Sequence, residues 1–304
     1  MSRPLAVFAY DFDGTLARGN MQEHAFIPDE LGMDHADFWR ETQALAEAQR
    51  GDGILAYMHL MLAKAREKGL ELSLESWQRR GASLPLFPGV EDWFARQNAR
   101  ADALGLDLRH FIISSGNREL IEGSPIAKWF ERIYASAFMF DDKADAMGVA
   151  LAINYTSKTQ YLFRINKWTL DEWDSEGINA VQADRDRPVP FDRIAFFGDG
   201  LTDIPVMRVM TDHGGHPVAV YDPEKAFTEA AADKLLKDGR ARLAAGGDYR
   251  EGSQLDELVV TDTIPLSAAA RACGKIRQLS VAELLAETIR RIAFGESVSS
   301  LYVD

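Results

Sequence analysis

Cysteine is almost absent from the sequence, and its scarcity limits the chemistry that the chain can perform. The single cysteine, Cys273, excludes an intrachain disulfide bond and any metal cluster built on several cysteine ligands. A chain without disulfides does not depend on an oxidising compartment. We therefore expect a cytoplasmic protein.

Long apolar runs are missing as well. A membrane-spanning helix needs ~20 consecutive apolar residues, and no run in this sequence comes near that length. The apolar run from Leu5 to Tyr10 follows one basic residue, Arg3, and is too short for the core of a signal peptide. We expect no membrane partner.

Positive charge is scarce relative to negative charge. The sequence has 34 Lys and Arg against 47 Asp and Glu, which gives a formal net charge of −13 at pH 7. Nucleic-acid binding through a basic surface needs the opposite balance, so we expect no nucleic-acid partner. An anionic substrate would need local positive charge, from a metal ion or a few lysines, to overcome this field.

The hydrophobic pattern changes near residue 105. From residue 20 to 104 apolar residues recur at helical spacing, as in "HADFWRETQALAEAQR", "GILAYMHLMLAKAREKG" and "PGVEDWFARQNARADALG". From residue 106 short apolar runs alternate with helical segments; these runs are "RHFIISS", "LAINYT", "RIAFFGD" and "HPVAVYD". Together with residues 5 to 10 they predict an α/β fold with a doubly wound parallel sheet. The helical segment is then an insert after the first strand.

Polar residues follow the predicted strands where each one ends. The first strand runs into "FAYDFDGTLARG", with two acids flanking one aromatic, and later strands end in "SSG" and "GDGLTD". Asp and Gly are common in turns, so a plain strand-to-turn interpretation exists for each piece alone. The carboxyl ends of parallel strands meet at one crevice, however, where such sheets bind ligands. Acids, a hydroxyl and a lysine at one crevice suit a magnesium ion and a phosphate group.

The order of these pieces resembles the haloacid dehalogenase superfamily over about residues 5 to 250. That superfamily has DxDGT as its first motif and GDxxxD as its fourth, and here DFDGTL, IISSG, a lysine and GDGLTD occur in the same order. The resemblance implies that Asp11 is the nucleophile and that Asp13 is the general acid and base. It also implies that Asp199 ligates magnesium with Asp11 and the carbonyl of Asp13, and that Asp203 supports the metal shell.

The same resemblance implies a phosphate site. Ser114 would bind phosphate through its hydroxyl, and Ser115 is the competing serine for this role. Gly116 would let the backbone approach the phosphate closely, and Lys158 would balance the negative charge of the site. Lys143 and Lys167 are alternatives for the lysine, and we favour Lys158 because it follows a predicted strand at a helix start. A dehalogenase has no leaving-group oxygen to protonate, so the second acid favours phosphate ester chemistry.

The helical insert at residues 20 to 104 matches the position of the superfamily's cap, which closes over substrate and excludes water. Phosphoserine phosphatases with this cap position carry a glutamate nine residues after the nucleophile. Asn20 stands there in this chain, with Glu23 one helical turn on, and we take both as candidate substrate contacts. The departure argues against phosphoserine as the substrate. We expect Trp39 and Tyr57 to serve packing.

Residues 254 to 304 resemble the C-terminus of ribose-phosphate pyrophosphokinases, through "LDELVVTDTIPL", "CGKIRQLSVAELLAETIRRI" and "ESVSSLYVD". Local patterns predict two strands, a capping box of Ser280 and Glu283, and a helix with an apolar stripe. The ribose 5-phosphate loop and the ATP-binding sections of that family are missing. We interpret the chain as a chimera whose tail packs on the core or mediates self-association.

The sequence thus predicts a catalytic core at residues 1–19 and 105–253, a helical cap at 20–104 and an appended tail at 254–304. The predicted function is a magnesium-dependent phosphatase that acts on a small phosphorylated metabolite through an aspartyl-phosphate. Two alternatives stay open. One is a phosphotransferase or mutase of the same superfamily, and the other is a binding or assembly protein linked to nucleotide synthesis through the tail.

Overall fold

A computed structural model describes residues 3–24 and 26–257, apart from the side chain of Leu201. The strands, capping box and helix predicted for the tail lie outside the described residues, as does Cys273. Within the described ranges, the longest helices are neither long nor apolar enough to cross a membrane.

A single seven-stranded sheet forms the centre of the described fold. Its strand order is β4-β3-β2-β1-β5-β6-β7, and every neighbouring pair is parallel except β3 with β4, which is antiparallel at one edge. The strands are β1 (Leu5–Tyr10), β2 (Asp107–Asn117), β3 (Phe130–Phe140), β4 (Ala146–Leu151), β5 (Ile194–Gly198), β6 (His216–Tyr221) and β7 (Leu243–Gly246). The predicted α/β class with a mostly parallel sheet is confirmed.

Helices cover both faces of the sheet. Along β1, Val7 and Ala9 belong to one buried apolar cluster and Tyr10 belongs to the other, because successive side chains of a strand point to opposite faces. The helices are α1 (His35–Gln49), α2 (Gly53–Glu67), α3 (Leu74–Gly81), α4 (Val90–Ala103), α5 (Arg118–Glu122), α6 (Lys158–Lys167), α7 (Ser175–Asn179), α8 (Ile204–Asp212) and α9 (Ala226–Lys237). Burial on both faces explains why the central strands β1, β5 and β6 read as nearly continuous apolar runs.

The insert between β1 and β2 is helical, as the sequence predicts. Helices α1 and α2 begin at Asp34 and Asp52, whose carboxylates accept backbone N–H groups of the first turn. Helix α1 packs against α2, and α3 packs against α5. Helix α4 packs on β2, where Trp93 donates a hydrogen bond from Nε1 to the hydroxyl of Tyr10 at 2.9 Å.

One predicted strand is wrong. The run "LAINYT" contains only the last residue of β4, and the chain leaves extended structure after Ile153 because the side chain of Asn154 binds the next backbone N–H groups. The strand next to β2 in the sheet is β3, which the apolar pattern of the sequence does not predict. An Asx turn here ends the apolar run and starts α6.

A buried histidine in strand β2 makes the stability of the fold sensitive to acid. His110 is almost fully buried, with Nδ1 at 3.2 Å from the Tyr10 hydroxyl and Nε2 at 3.0 Å from Asn98 Oδ1. Burial lowers the pKa of His110 from its ordinary value near 6.5 to about 3. The imidazole is therefore neutral in the fold but takes up a proton in the unfolded chain below about pH 6.5.

This contribution to stability is complete above pH 6.5 and is lost as the pH falls towards 3. We expect the unfolding free energy to lose about 1.4 kcal/mol per pH unit from His110 in that window, on top of what the carboxylates contribute. Urea unfolding at about pH 7 and pH 5 measures it. His110→Gln removes the titrating group. Between pH 7 and pH 5 the unfolding free energy of this variant should therefore fall by about 2 kcal/mol less than that of the wild type. Equal losses in the two proteins would contradict the assignment.

Candidate active site

The candidate site lies at the carboxyl ends of three adjacent strands. Asp11 directly follows β1, Ser114 lies near the end of β2, and Asp199 directly follows β5. Register pairs Tyr10 with Ile112 on one side and with Phe197 on the other, so the polar residues after these positions emerge at the same edge. The predicted convergence of strand ends therefore holds in the structure.

Asp11 is held on both carboxylate oxygens. Its Oδ1 accepts the backbone N–H of Phe12 at 2.7 Å, and its Oδ2 accepts from Lys158 Nζ at 2.7 Å. The side chain is buried. Each contact fixes one oxygen, so the carboxylate has a defined orientation at the strand end.

Lys158 bridges two acids from different loops. Its Nζ lies 2.7 Å from Asp11 Oδ2 and 2.8 Å from Asp203 Oδ1, and its side chain is fully buried. Burial alone would lower the pKa of Lys158, but the two carboxylates outweigh it and raise the pKa above its ordinary value. The alternatives lie elsewhere: Lys167 Nζ donates to the carbonyls of Ile178 and Ala180, and Lys143 is exposed.

Three carboxylates form a compact cluster. One oxygen each from Asp11, Asp199 and Asp203 lies within 4.8 Å of the other two. Burial, Asp203 and Asp11 raise the pKa of Asp199, while burial raises the pKa of Asp203 to about 7, against the opposing effect of Lys158. One ammonium cannot neutralise three clustered carboxylates. The cluster is therefore short of positive charge.

The donor set fits a magnesium ion. Carboxylate oxygens are the ligands that this hard cation prefers. Asp203 Oδ2 is buried and has no hydrogen-bond partner among the described residues, so it has capacity for a cation or a metal-bound ligand. Gly14 permits the cluster to close, since its φ is +70° and a Cβ there would lie 2.1 Å from Asp199 Oδ2.

Asp13 lies apart from the carboxylate cluster. Its Oδ1 accepts the backbone N–H of Met21 at 2.9 Å, at the point where the helical insert begins. Burial, and secondarily the charge of Asp11, raise the pKa of Asp13 well above its ordinary value. A carboxyl group in this environment favours the protonated form and can donate its proton.

The serines at the end of β2 differ in how their hydroxyls are used. Ser114 Oγ accepts the backbone N–H of Gly116 at 3.0 Å, whereas the buried Oγ of Ser115 has no partner among the described residues. A Cβ on Gly116 would lie 2.3 Å from Met21 Cε and 3.1 Å from Asp13 Oδ2. A side chain at this position would therefore displace the tip of Met21, and both serine hydroxyls remain candidates for a phosphate oxygen.

The two candidate substrate contacts bind each other. Glu23 Oε1 accepts from Asn20 Nδ2 at 2.7 Å and from Trp39 Nε1 at 2.6 Å, so Glu23 joins the start of the insert to α1. Tyr57 packs in the buried apolar cluster, as expected, and in addition its hydroxyl donates to the Ser115 carbonyl at 2.8 Å. It thus connects α2 directly to the predicted phosphate-binding segment. Helical spacing alone could not distinguish this contact from core packing.

One group of known proteins is similar to the C-terminal part of the chain. A family model described as the phosphoribosyl synthetase-associated domain matches residues 231–303. A ribose-phosphate pyrophosphokinase of Xanthomonas axonopodis pv. citri is 88% identical over 112 residues, which cover 33% of this chain and 35% of that enzyme. The chain thus spans about a third of the length of these relatives. The predicted likeness of the C-terminal segment to that family is confirmed.

Other matches extend over most of the chain. An uncharacterized protein of Borreliella burgdorferi is 28% identical over 273 residues, covering 81% of this chain and 92% of its own. Similar solved structures include a HAD family hydrolase from Salmonella enterica serovar Typhi, with TM-score 0.47, 18% identity and coverage of 76% and 67%. A substrate-bound phosphoserine phosphatase has TM-score 0.49, 14% identity and coverage of 80% and 93%.

Proposed function

We propose that this protein is a magnesium-dependent phosphatase that hydrolyses a small phosphomonoester through an aspartyl-phosphate on Asp11. The observation that carries the proposal is the position of Lys158 between the buried Asp11 and Asp203, inside a cluster of three carboxylates at the strand ends. This combination supplies a nucleophile, a counter-charge for phosphate and a set of oxygen ligands.

The first step transfers the phosphoryl group to the protein. A carboxylate oxygen of Asp11 attacks phosphorus, the new O–P bond forms, and the ester P–O bond breaks. Asp13, whose raised pKa favours its protonated form, gives its proton to the departing oxygen. Lys158 and the Phe12 N–H orient the attacking carboxylate, since each binds one of its oxygens.

The second step regenerates the protein. Asp13, now a carboxylate, removes a proton from a water molecule as the water oxygen attacks phosphorus. The bond between phosphorus and Asp11 breaks, and inorganic phosphate leaves. The same residue acts as acid and then as base, as microscopic reversibility of the two half-reactions allows.

Magnesium would be held by Asp11, Asp199 and the backbone carbonyl of Asp13, with Asp203 supporting the metal shell. When bound, it supplies positive charge to the phosphate oxygens and offsets the clustered acids. The lysine alone leaves the cluster short of positive charge, which supports this part of the proposal. The magnesium ion and the Lys158 ammonium would also oppose the net negative charge of the chain, which would otherwise repel a phosphate ester.

A panel of phosphate esters tests the proposed function. We expect at least one small phosphomonoester to release inorganic phosphate in the presence of Mg²⁺, and chelation followed by added Mg²⁺ to stop and restore release. The control is Asp248→Asn, a partly buried acid paired with Arg250 and outside the carboxylate cluster, which should behave as wild type. Full activity in excess chelator would contradict the metal assignment, and activity retained by Asp11→Asn would contradict the nucleophile.

A further inference from the structure

We call residues 154–157 the lysine's turn, because they lead directly into Lys158 at the start of α6. The side chain of Asn154 organises this turn. Asn154 Oδ1 accepts the backbone N–H of Thr156 at 3.1 Å and of Ser157 at 2.9 Å, and also the Thr156 hydroxyl at 2.8 Å. The Asn154 carbonyl accepts the backbone N–H of Lys158 at 3.0 Å. Asn154 therefore sets the first turn of α6, and with it the position from which Lys158 extends.

The other end of the same amide reaches the helical insert. Asn154 Nδ2 donates to Asp52 Oδ2 at 2.9 Å. The remaining oxygen of Asp52 accepts the backbone N–H groups of Ile54 and Leu55 and so begins α2. Both atoms of the amide and both oxygens of the carboxylate are engaged. The contact thus has one orientation, in which a helix of the insert holds the lysine's turn.

Two further side chains of α2 form hydrogen bonds to the core, beside the apolar packing of the helix, and neither bond involves the lysine's turn. Tyr57 donates to the Ser115 carbonyl, and Arg66 Nη2 donates to the carbonyls of Ala146 and Met147 at 2.9 and 2.8 Å. Asp52 and Asn154 are both only partly buried. Their hydrogen bond can therefore open to solvent without exposing an apolar core.

We propose that Asn154 is a positioning residue that couples docking of α2 to the setting of Lys158. The Asp52 carboxylate fixes the direction of the Asn154 amide, so that Oδ1 stays on the turn and Lys158 stays between Asp11 and Asp203. Without the hydrogen bond from Asn154 to Asp52, the amide loses that constraint and the lysine's turn loosens. The inference rests on the proposed function for the role of Lys158, and on the hydrogen bonds alone for the coupling.

Exchanging the two side chains gives a direct test. In Asp52→Asn the new amide can still begin α2 through its oxygen, but its NH₂ faces the NH₂ of Asn154. In Asn154→Asp the new carboxylate can still accept from the turn, but it faces the Asp52 carboxylate. The double variant Asp52→Asn/Asn154→Asp restores one donor and one acceptor with the direction reversed. Asp34→Asn is the matched control, because Asp34 begins α1 by the same contact to a backbone N–H.

We expect each single variant to lower kcat per folded molecule roughly tenfold, the size of one lost hydrogen bond to a charged group. The double variant should recover most of kcat, and Asp34→Asn should match wild type. Hydrogen exchange should be faster in residues 152–160 in each single variant and should return to the wild-type rate in the double. Rescue of kcat distinguishes positioning from a loss of stability alone, which the folded fraction would report.

The proposal is overturned if the double variant loses as much as the two single losses multiplied together, or if both single variants keep wild-type kcat. Hydrogen exchange separates this inference from the proposed function. If no phosphate ester is hydrolysed, the proposed function fails. Restored exchange in the double variant would still support the coupling, and unrestored exchange would overturn it.

Discussion

Replacing Asp11 with Asn is expected to abolish turnover almost completely. The amide occupies nearly the same volume, and its one oxygen can still accept a hydrogen bond from Lys158 or from the Phe12 N–H, but it cannot form an aspartyl-phosphate. Phosphate monoester hydrolysis needs up to ~10²¹-fold acceleration, so removal of the covalent route should cost on the order of 10⁴-fold or more in kcat. Steady-state phosphate release with the best ester of the panel measures it.

Asp11→Glu is the matched variant for this prediction. It keeps the negative charge beside Lys158 but moves the carboxylate by one methylene, so it should also be nearly inactive if the position of the nucleophile matters. A thermal melt of each variant accounts for folding. An Asp11→Asn protein that keeps more than about a tenth of wild-type activity would show that Asp11 is not the nucleophile.

The second large effect is expected at Asp199. Asp199→Ala removes one carboxylate from the cluster, and loss of even an indirect contact to a metal costs about 10–100-fold in affinity. We expect the Mg²⁺ concentration for half-maximal activity to rise at least about 100-fold, and kcat to fall even at saturation. Titration of activity with Mg²⁺ measures both.

Two observations keep that test interpretable. Without metal, the carboxylates of Asp203 and Asp11 contribute to raising the pKa of Asp199, so removal of Asp199 relieves repulsion and should not destabilise the metal-free fold. The control is Asp212→Ala, which deletes an exposed carboxylate paired with Arg208 on α8. An unchanged Mg²⁺ requirement in Asp199→Ala, with a normal thermal melt, would contradict the metal assignment.

The strand ends of the site could be predicted from the sequence because buried parallel strands leave a strong local signal. Asp11 and Asp199 each stop a continuous apolar run, and parallel strands place such stops at one edge. The lysine was open among three positions, since a lysine at a helix start and one on an exposed helix face look alike in sequence. The fold distinguishes them by burial, because Lys158 alone of the three lies between two of the acids.

The edge of the sheet was not predictable in the same way. Strand β3 reads "FERIYASAFMF", where charged and small residues interrupt the apolar pattern, and β4 reads "AMGVAL", which is short and contains a glycine. The run "LAINYT" looked like a strand because its apolar residues are visible in sequence, whereas the Asn154 hydrogen bonds that end it are not. The contact between Asp52 and Asn154 joins residues far apart in the chain, so no local pattern could reveal it.

The most direct measurement of the central claim is a trap of the phosphorylated protein. In Asp13→Asn, an aryl phosphate can still transfer its phosphoryl group, because an aryl oxide leaves without a proton, but no base activates the water. Acid quench after one turnover, followed by peptide mass spectrometry, should find one phosphoryl group on Asp11, and none in Asp11→Asn/Asp13→Asn. A phosphoryl group on any other residue, or a burst of released phenol with none on the protein, would contradict the account.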